Sequence, residues 1–172
     1  MQRPTRRGFL AFGIGVAGMP CGRTASAAVP EPRSEVILTV EGAIGDGRSA
    51  GPVRFDIDAL RGLGVYTLRS RTPFTEGESD FEGVLGRNVM AAVQAHGSQA
   101  TAYARNDYSA EIPLSDFADW DVLLVTHMDG RRLRLRDKGP LWIVYPWSQH
   151  PELDNRVTRQ KSVWQLYRFS VS

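Results

Sequence analysis

Cysteine is nearly missing from this 172-residue chain: there is one, Cys21, and none follows it. Everything after it therefore lacks disulfides, thiolate nucleophiles and thiolate metal ligands. Histidine is almost as scarce. His96, His127 and His150 fall in separate segments, without the i, i+4 or carboxylate spacing of a zinc or iron site. The apolar run Phe9 to Met19 stops well short of the ~20 residues that span a bilayer. No G-x-S-x-G elbow, P-loop or dinucleotide fingerprint occurs, and no internal repeat or low-complexity segment.

What is present begins with an export address. Arg3, Arg6 and Arg7 form a basic head, Phe9 to Met19 a weakly apolar middle, and Ala25-Ser26-Ala27 a small-residue cleavage pattern. Thr5-Arg6-Arg7-Gly8-Phe9-Leu10 resembles the twin-arginine signal. Pro20 before Cys21 fits poorly with a lipobox. These features predict a signal peptide over residues 1–27 and a periplasmic mature chain. Removing those 27 residues leaves 145, enough for one domain with a core. The leader holds four arginines and no acid, so 21 cations against 19 acids become 17 against 19. The basic balance belongs to the leader, which argues against nucleic acid as a partner.

The mature chain reads as strands punctuated by short helices. VILTVE (36–41), VRFDI (53–57), Val65 to Arg71, Thr101 to Ala104, Ser109 to Pro113, VLLVTH (122–127), Leu141 to Tyr145 and SVWQLYRFSV (162–171) are strand-like. Asp58 and Ser115 look like helix caps, and Gly86 to His96 carries Val89, Met90 and Val93 on one face. Thr72 to Asp80 reads as a polar loop. Met128-Asp129-Gly130-Arg131 is a hairpin signal, with Leu133 and Leu135 alternating on the return. About eight strands and three short helices without βαβ order predict an α+β domain, mostly β, over residues 28–172.

FEGVLGRNVMAAV, NDYSAEIPLSDF, MDGRRLRLRDKGPLWIVYPW and KSVWQLYRFSV resemble the molybdopterin-binding domain of the sulfite oxidase family, in its small exported stand-alone form. The likeness runs from about Val36 to Val171 and implies that family's fold. In catalytic members a cysteine at the end of the 65–71 strand ligates molybdenum. Laid on this chain, Arg69 matches the arginine before that cysteine, Ser70 the cysteine itself and Phe74 a later tryptophan, with Thr72 as a second candidate for the ligand position. A thiolate is a soft donor that metal binding deprotonates; an alcohol is harder and far less acidic. Set beside the bare reading of a strand-end serine bonding its loop, Ser70 brings oxygen-atom transfer of the family's type into question.

The resemblance also marks a cofactor cleft. Asn106, Asp107 and Tyr108 form a loop between strands, where Tyr108 could donate to an oxo group; the alternative is a turn that Asp107 caps. Lys138 could meet a pterin phosphate as a point charge, or be a solvated turn residue. Trp147 and His150 follow an apolar strand as a pocket wall, or as core and surface. Arg156, Arg159, Lys161 and Ser162 would line a phosphate or pterin site, the Lys-Ser pair carrying the likeness.

Two readings stay open. One is a molybdopterin-dependent oxidoreductase acting on a small oxyanion or sulfoxide. Ser70 and Tyr108 would sit at its reacting centre, and electrons would leave through a haem protein or membrane subunit. The other is a binding domain that has lost the metal and holds a small anion, or docks a periplasmic partner such as a sensor.

Overall fold

An unbroken apolar run such as Val122 to Val125 must lie inside a sheet, because both of its faces need cover. The computed structural model, which describes residues 29–45 and 51–172, places it there. In chain order the elements are β1 (Leu38–Gly42), β2 (Val53–Phe55), α1 (Ile57–Arg61), β3 (Tyr66–Arg71), β4 (Glu78–Leu85), α2 (Gly86–Ala92) and β5 (Gln99–Ala104). There follow β6 (Ser109–Pro113), α3 (Leu114–Asp119), β7 (Leu123–Met128), β8 (Arg131–Arg132), β9 (Trp142–Val144), α4 (Arg156–Lys161) and β10 (Leu166–Val171).

The strands form two sheets. One runs β2-β1-β10-β5-β6, with β1 and β10 parallel and the other neighbours antiparallel. The other runs β3-β4-β7-β8, and β9 pairs with the first half of β7 where β8 pairs with its end. Leu123, Leu124, Val125 and Thr126 of β7 are fully buried. Gly83 is required where β4 crosses β7: a Cβ there would sit 2.1 Å from the Leu124 carbonyl oxygen. The result is an α+β domain, mostly β with short helices, as the sequence reading expects.

The two sheets are sewn together by residues 162–165. Val163 O accepts from Ile143 N at 2.9 Å, Trp164 bridges to Trp142, and Leu166 N donates to Leu141 O at 3.0 Å as the chain enters β10. The core follows this seam. Trp142 meets Phe81 edge-on at 5.5 Å, and Phe117 meets Phe169 at 5.8 Å.

Several local expectations are corrected. Thr72 to Asp80 is not all loop: β4 starts at Glu78 and runs eight residues, because Ser79 and Phe81 alternate inward between β3 and β7. The helix from Gly86 stops at Ala92, and Gln94 turns left-handed at φ 53°. The first helix is capped by Asp56, not Asp58, through its carboxylate accepting from Ala59 N at 2.8 Å. Ser115 caps nothing, since α3 begins one residue earlier after Pro113. The return strand after the hairpin lasts two residues, with Leu133 buried and Leu135 exposed in a 3-10 turn. The last strand begins at Leu166, not Ser162, because Gln165 takes φ 56°. Helix α4 lies between Trp147 and the last strand, where the sequence reading places no helix. The signal-peptide segment, residues 1–27, lies outside the described residues.

Asp56 does more than cap α1. Its other oxygen accepts from the backbone of Arg33 at 2.7 Å and Ser34 at 3.0 Å, tying the lead-in to the domain. These bonds, led by that from Ala59, hold its carboxyl below the usual range. His127 is pushed down by burial, against the pull of the Glu82 carboxylate. Both groups therefore bind protons more readily unfolded than folded, so acid destabilises through each. His127 acts first, as pH falls through its unfolded value of about 6.5, and Asp56 below about 4. The urea midpoint should fall in two stages between pH 7 and 3, and His127→Gln should remove the upper one. A midpoint flat from pH 7 to 5 in the unaltered protein would contradict this assignment.

Candidate functional site

Loops that leave a buried sheet carry a protein's adaptable chemistry, and the β5–β6 turn is one. Asp107 takes a left-handed φ of 64°, and the Asn106 side-chain oxygen accepts from Tyr108 N at 3.3 Å, closing an Asx turn. Opposite stands α4, started by Asn155, whose side-chain oxygen accepts from Thr158 N at 3.1 Å. Thr158 is buried, which leaves Arg156, Arg159 and Gln160 outward. The Tyr108 hydroxyl donates to Gln160 O at 2.9 Å and ties turn to helix.

Between turn, helix and seam lies a cavity of about 420 Å³. Asn106 and Tyr108 line one side, Arg156, Arg159 and Ser162 another, and Phe74 with Trp164 form an aromatic wall. Phe74 packs edge-on against Trp142, Trp147 and Trp164, with centroids 6.3, 6.3 and 5.3 Å away. Guanidinium groups, an amide and aromatic faces together suit a flat organic anion.

The wall that α4 forms is braced from behind. Asp116 of α3 accepts from the Tyr145 hydroxyl at 2.7 Å and from Lys161 Nζ at 2.9 Å on the same oxygen. Burial and the Asp116 charge push the Tyr145 phenol far up, so it stays protonated and donates. The Lys161 and Asp116 side chains are 17% and 16% exposed, so neither charge is well solvated without the other.

Ser70 is fully buried on β3. Its hydroxyl donates to Arg71 O at 2.9 Å and accepts from Ser148 N at 3.1 Å. The loop answers in kind: Ser148 Oγ accepts from Arg71 N at 2.8 Å, and Gln149 Nε2 donates to Arg69 O at 3.0 Å. Together these bonds cover part of the free edge of β3, which would otherwise expose unpaired backbone groups. Thr72 is likewise buried, its hydroxyl shared with Thr75 at 2.9 Å and accepting from Phe74 N at 3.1 Å.

Residues 69–150 match the family model described as oxidoreductase molybdopterin binding domain. Over that segment the chain is similar to the sulfite oxidase-like molybdopterin-binding family. No curated protein matches the chain. The matched segment carries Ser70, the β5–β6 turn and Trp147, while α4 and the seam follow it. The family's cofactor brings molybdenum, and the donor set here does not fit a metal held by the protein. No thiolate follows residue 21, both candidate hydroxyls are committed to backbone or side chain, and no group of three His, Cys, Asp or Glu converges among the described residues.

Of the sequence-predicted residues, Asn106, Tyr108, Arg156, Arg159 and Ser162 meet at the cavity. Trp147 lies beneath it, buried and donating from Nε1 to Leu153 O at 3.0 Å. Lys138 lines an adjoining hollow. Asp107 shapes the turn rather than the wall. Arg69 points to solvent on the outer sheet face, near Glu78 and Asp80. His150 rests against Trp120 at 4.8 Å and pairs with Glu152. The Lys161 amine is directed to Asp116, not into the cavity. Sequence reasoning missed Trp164 and Gln160 as lining residues; the alternation through SVWQLY reads simply as strand until the left-handed Gln165 is known.

Removing one partner of the Asp116–Lys161 pair strands the other charge. Asp116→Ala or Lys161→Ala should cost roughly 3 kcal/mol in urea unfolding. The double variant should lose clearly less than the two single losses summed. Additive losses would show that the pair does not brace α4.

Proposed function

We propose that this is an exported binding domain built on the molybdopterin-binding fold, whose cleft takes a small organic anion without protein-ligated molybdenum. The observation that carries it is the Ser70 hydroxyl. It is fully buried and already gives its proton to Arg71 O and its lone pair to Ser148 N. Ligating a metal as an alkoxide would forfeit the bond to Arg71 O and put a hard, weakly acidic donor where the family uses a thiolate. The side chain serves instead to close the edge of β3 with the loop after Trp147.

The twin-arginine-like pattern of residues 1–27 supports a periplasmic setting. No helix among the described residues is long and apolar enough to cross a membrane. A folded domain with an anion-holding cleft suits a protein that presents a bound ligand to a partner such as a sensor. The convergence of Asn106, Tyr108, Arg159 and Ser162 on one cavity favours a second reading, in which the domain still holds the family's pterin. In that reading Arg156 and Arg159 would hold it, and the chemistry the group supplies when bound is oxygen-atom transfer to or from a small oxyanion or sulfoxide. A haem protein or membrane subunit would then carry the electrons.

Ser70→Ala separates the roles of the hydroxyl. As a bolt between β3 and the loop, its loss leaves the Ser148 N–H and the Arg71 carbonyl short of a partner, and stability should fall by about 1 kcal/mol. Backbone amides of Arg71 and Ser148 should exchange faster with solvent. Unchanged stability and exchange would remove the bolt and reopen the serine as a ligand.

A further inference from the structure

We infer that the cleft continues past Phe74 and Trp164 into a second cationic lobe, so that its ligand is a flat, elongated molecule carrying an anionic group at each end. This rests on the metal-free reading of the site. The second lobe is a hollow of about 360 Å³ lined by Arg136, Lys138 and Gln165, and it shares both aromatic residues with the first cavity. Phe74 and Trp164 are thus a common wall, offering a flat ligand two ring faces or edges.

Cations stand at both ends. Lys138 holds its ammonium 5.3 Å from the centre of the Trp142 ring, and Arg136 lies two residues before it. Arg156 and Arg159 hold the far end. Asp137 is shared by Arg134 and Arg136, and Asp154 is taken by Arg159. Among the described residues, Lys138 and Arg156 have no carboxylate within 4.0 Å, so one uncommitted cation remains in each lobe. Their attraction is therefore available to a ligand.

The backbone fixes the two lobes to each other. Gln165 donates from N to Lys138 O at 2.9 Å and from Nε2 to Leu135 O at 3.0 Å, while its own carbonyl accepts from Arg105 N at 3.0 Å. One residue thereby joins the 135–138 turn to the start of the β5–β6 turn. Asp107, Lys138 and Gln165 all take left-handed φ, at 64°, 73° and 56°, a conformation that non-glycine residues adopt at a cost. Tyr108, Leu135 and Val157, three large apolar side chains exposed by 44%, 52% and 58%, stand in the segments around the same cleft. Strain, exposed apolar area and uncommitted cations coincide here, as they do where a ligand completes a surface.

The test compares naphthalene-2,6-disulfonate with naphthalene-2-sulfonate on the full purified chain, by calorimetry and tryptophan fluorescence. One site per chain should bind the disulfonate about fivefold more tightly or better, the size expected of a few partly exposed charge contacts. Arg136→Gln/Lys138→Gln should abolish that preference while still binding the monosulfonate. Arg131→Gln/Arg132→Gln on β8, an equal loss of charge, should leave it intact. Equal affinity for the two probes, a preference that survives Arg136→Gln/Lys138→Gln, or one that the β8 variant also abolishes would overturn the two-lobed site. Elemental analysis of the same preparation reads the other premise separately. Bound molybdenum would overturn the metal-free reading whatever the sulfonates do, and a metal-free chain without the preference would overturn only the second lobe.

Discussion

The two sheets of this domain are held as one body by a buried serine. Ser162 Oγ donates to Ile143 O at 2.6 Å and accepts from Trp142 Nε1 at 3.0 Å, with all three residues out of water. A buried indole N–H without a partner is costly, so this pairing sets where Trp142 lies. Trp142 in turn sets Phe74 and Phe81, which pack on its ring. The strap from Ser162 to Gln165 can then pair with β9 and still enter β10 of the other sheet. The cavity opens on that strap, so its walls inherit the rigidity of the core while its rim is made of turns.

A second serine shows how the same fold can change its chemistry. Where a soft thiolate would face a metal, Ser70 offers a small hydroxyl with one proton and two lone pairs. The proton goes to Arg71 O and one lone pair to Ser148 N, so the hydroxyl is held by the fold on both its donor and its acceptor side. The Pro-Trp loop becomes a cover for the β3 edge, and Trp147 beneath it packs against Phe74. In the reading proposed here, hydrogen bonds hold what a metal site would otherwise organise.

Much of this was legible in the chain itself. The apolar run at 122–127 settles as the buried β7. The alternation at 53–57 yields a strand only to Phe55, and that at 166–171 a strand whose period a bulge near Leu166 interrupts. The resemblance located the β5–β6 turn and Ser162, which line the cavity. The rest depended on tertiary partners. Lys161 looked like a ligand residue, but its amine goes to Asp116, 45 residues away and outside any local pattern. Helix α4 was hidden because a six-residue helix capped by Asn155 resembles any polar loop. Trp164 was read as strand, since nothing local shows that Gln165 turns left-handed and sets it in the cleft wall.

Molybdenum stoichiometry in protein purified from its own host, where cofactor supply is not limiting, tests the central claim most directly, with released pterin measured alongside. A domain whose serine is held by the fold should carry far less than one molybdenum per chain. Near one molybdenum per chain, with pterin in the same amount, would contradict that account and make the cleft a redox site.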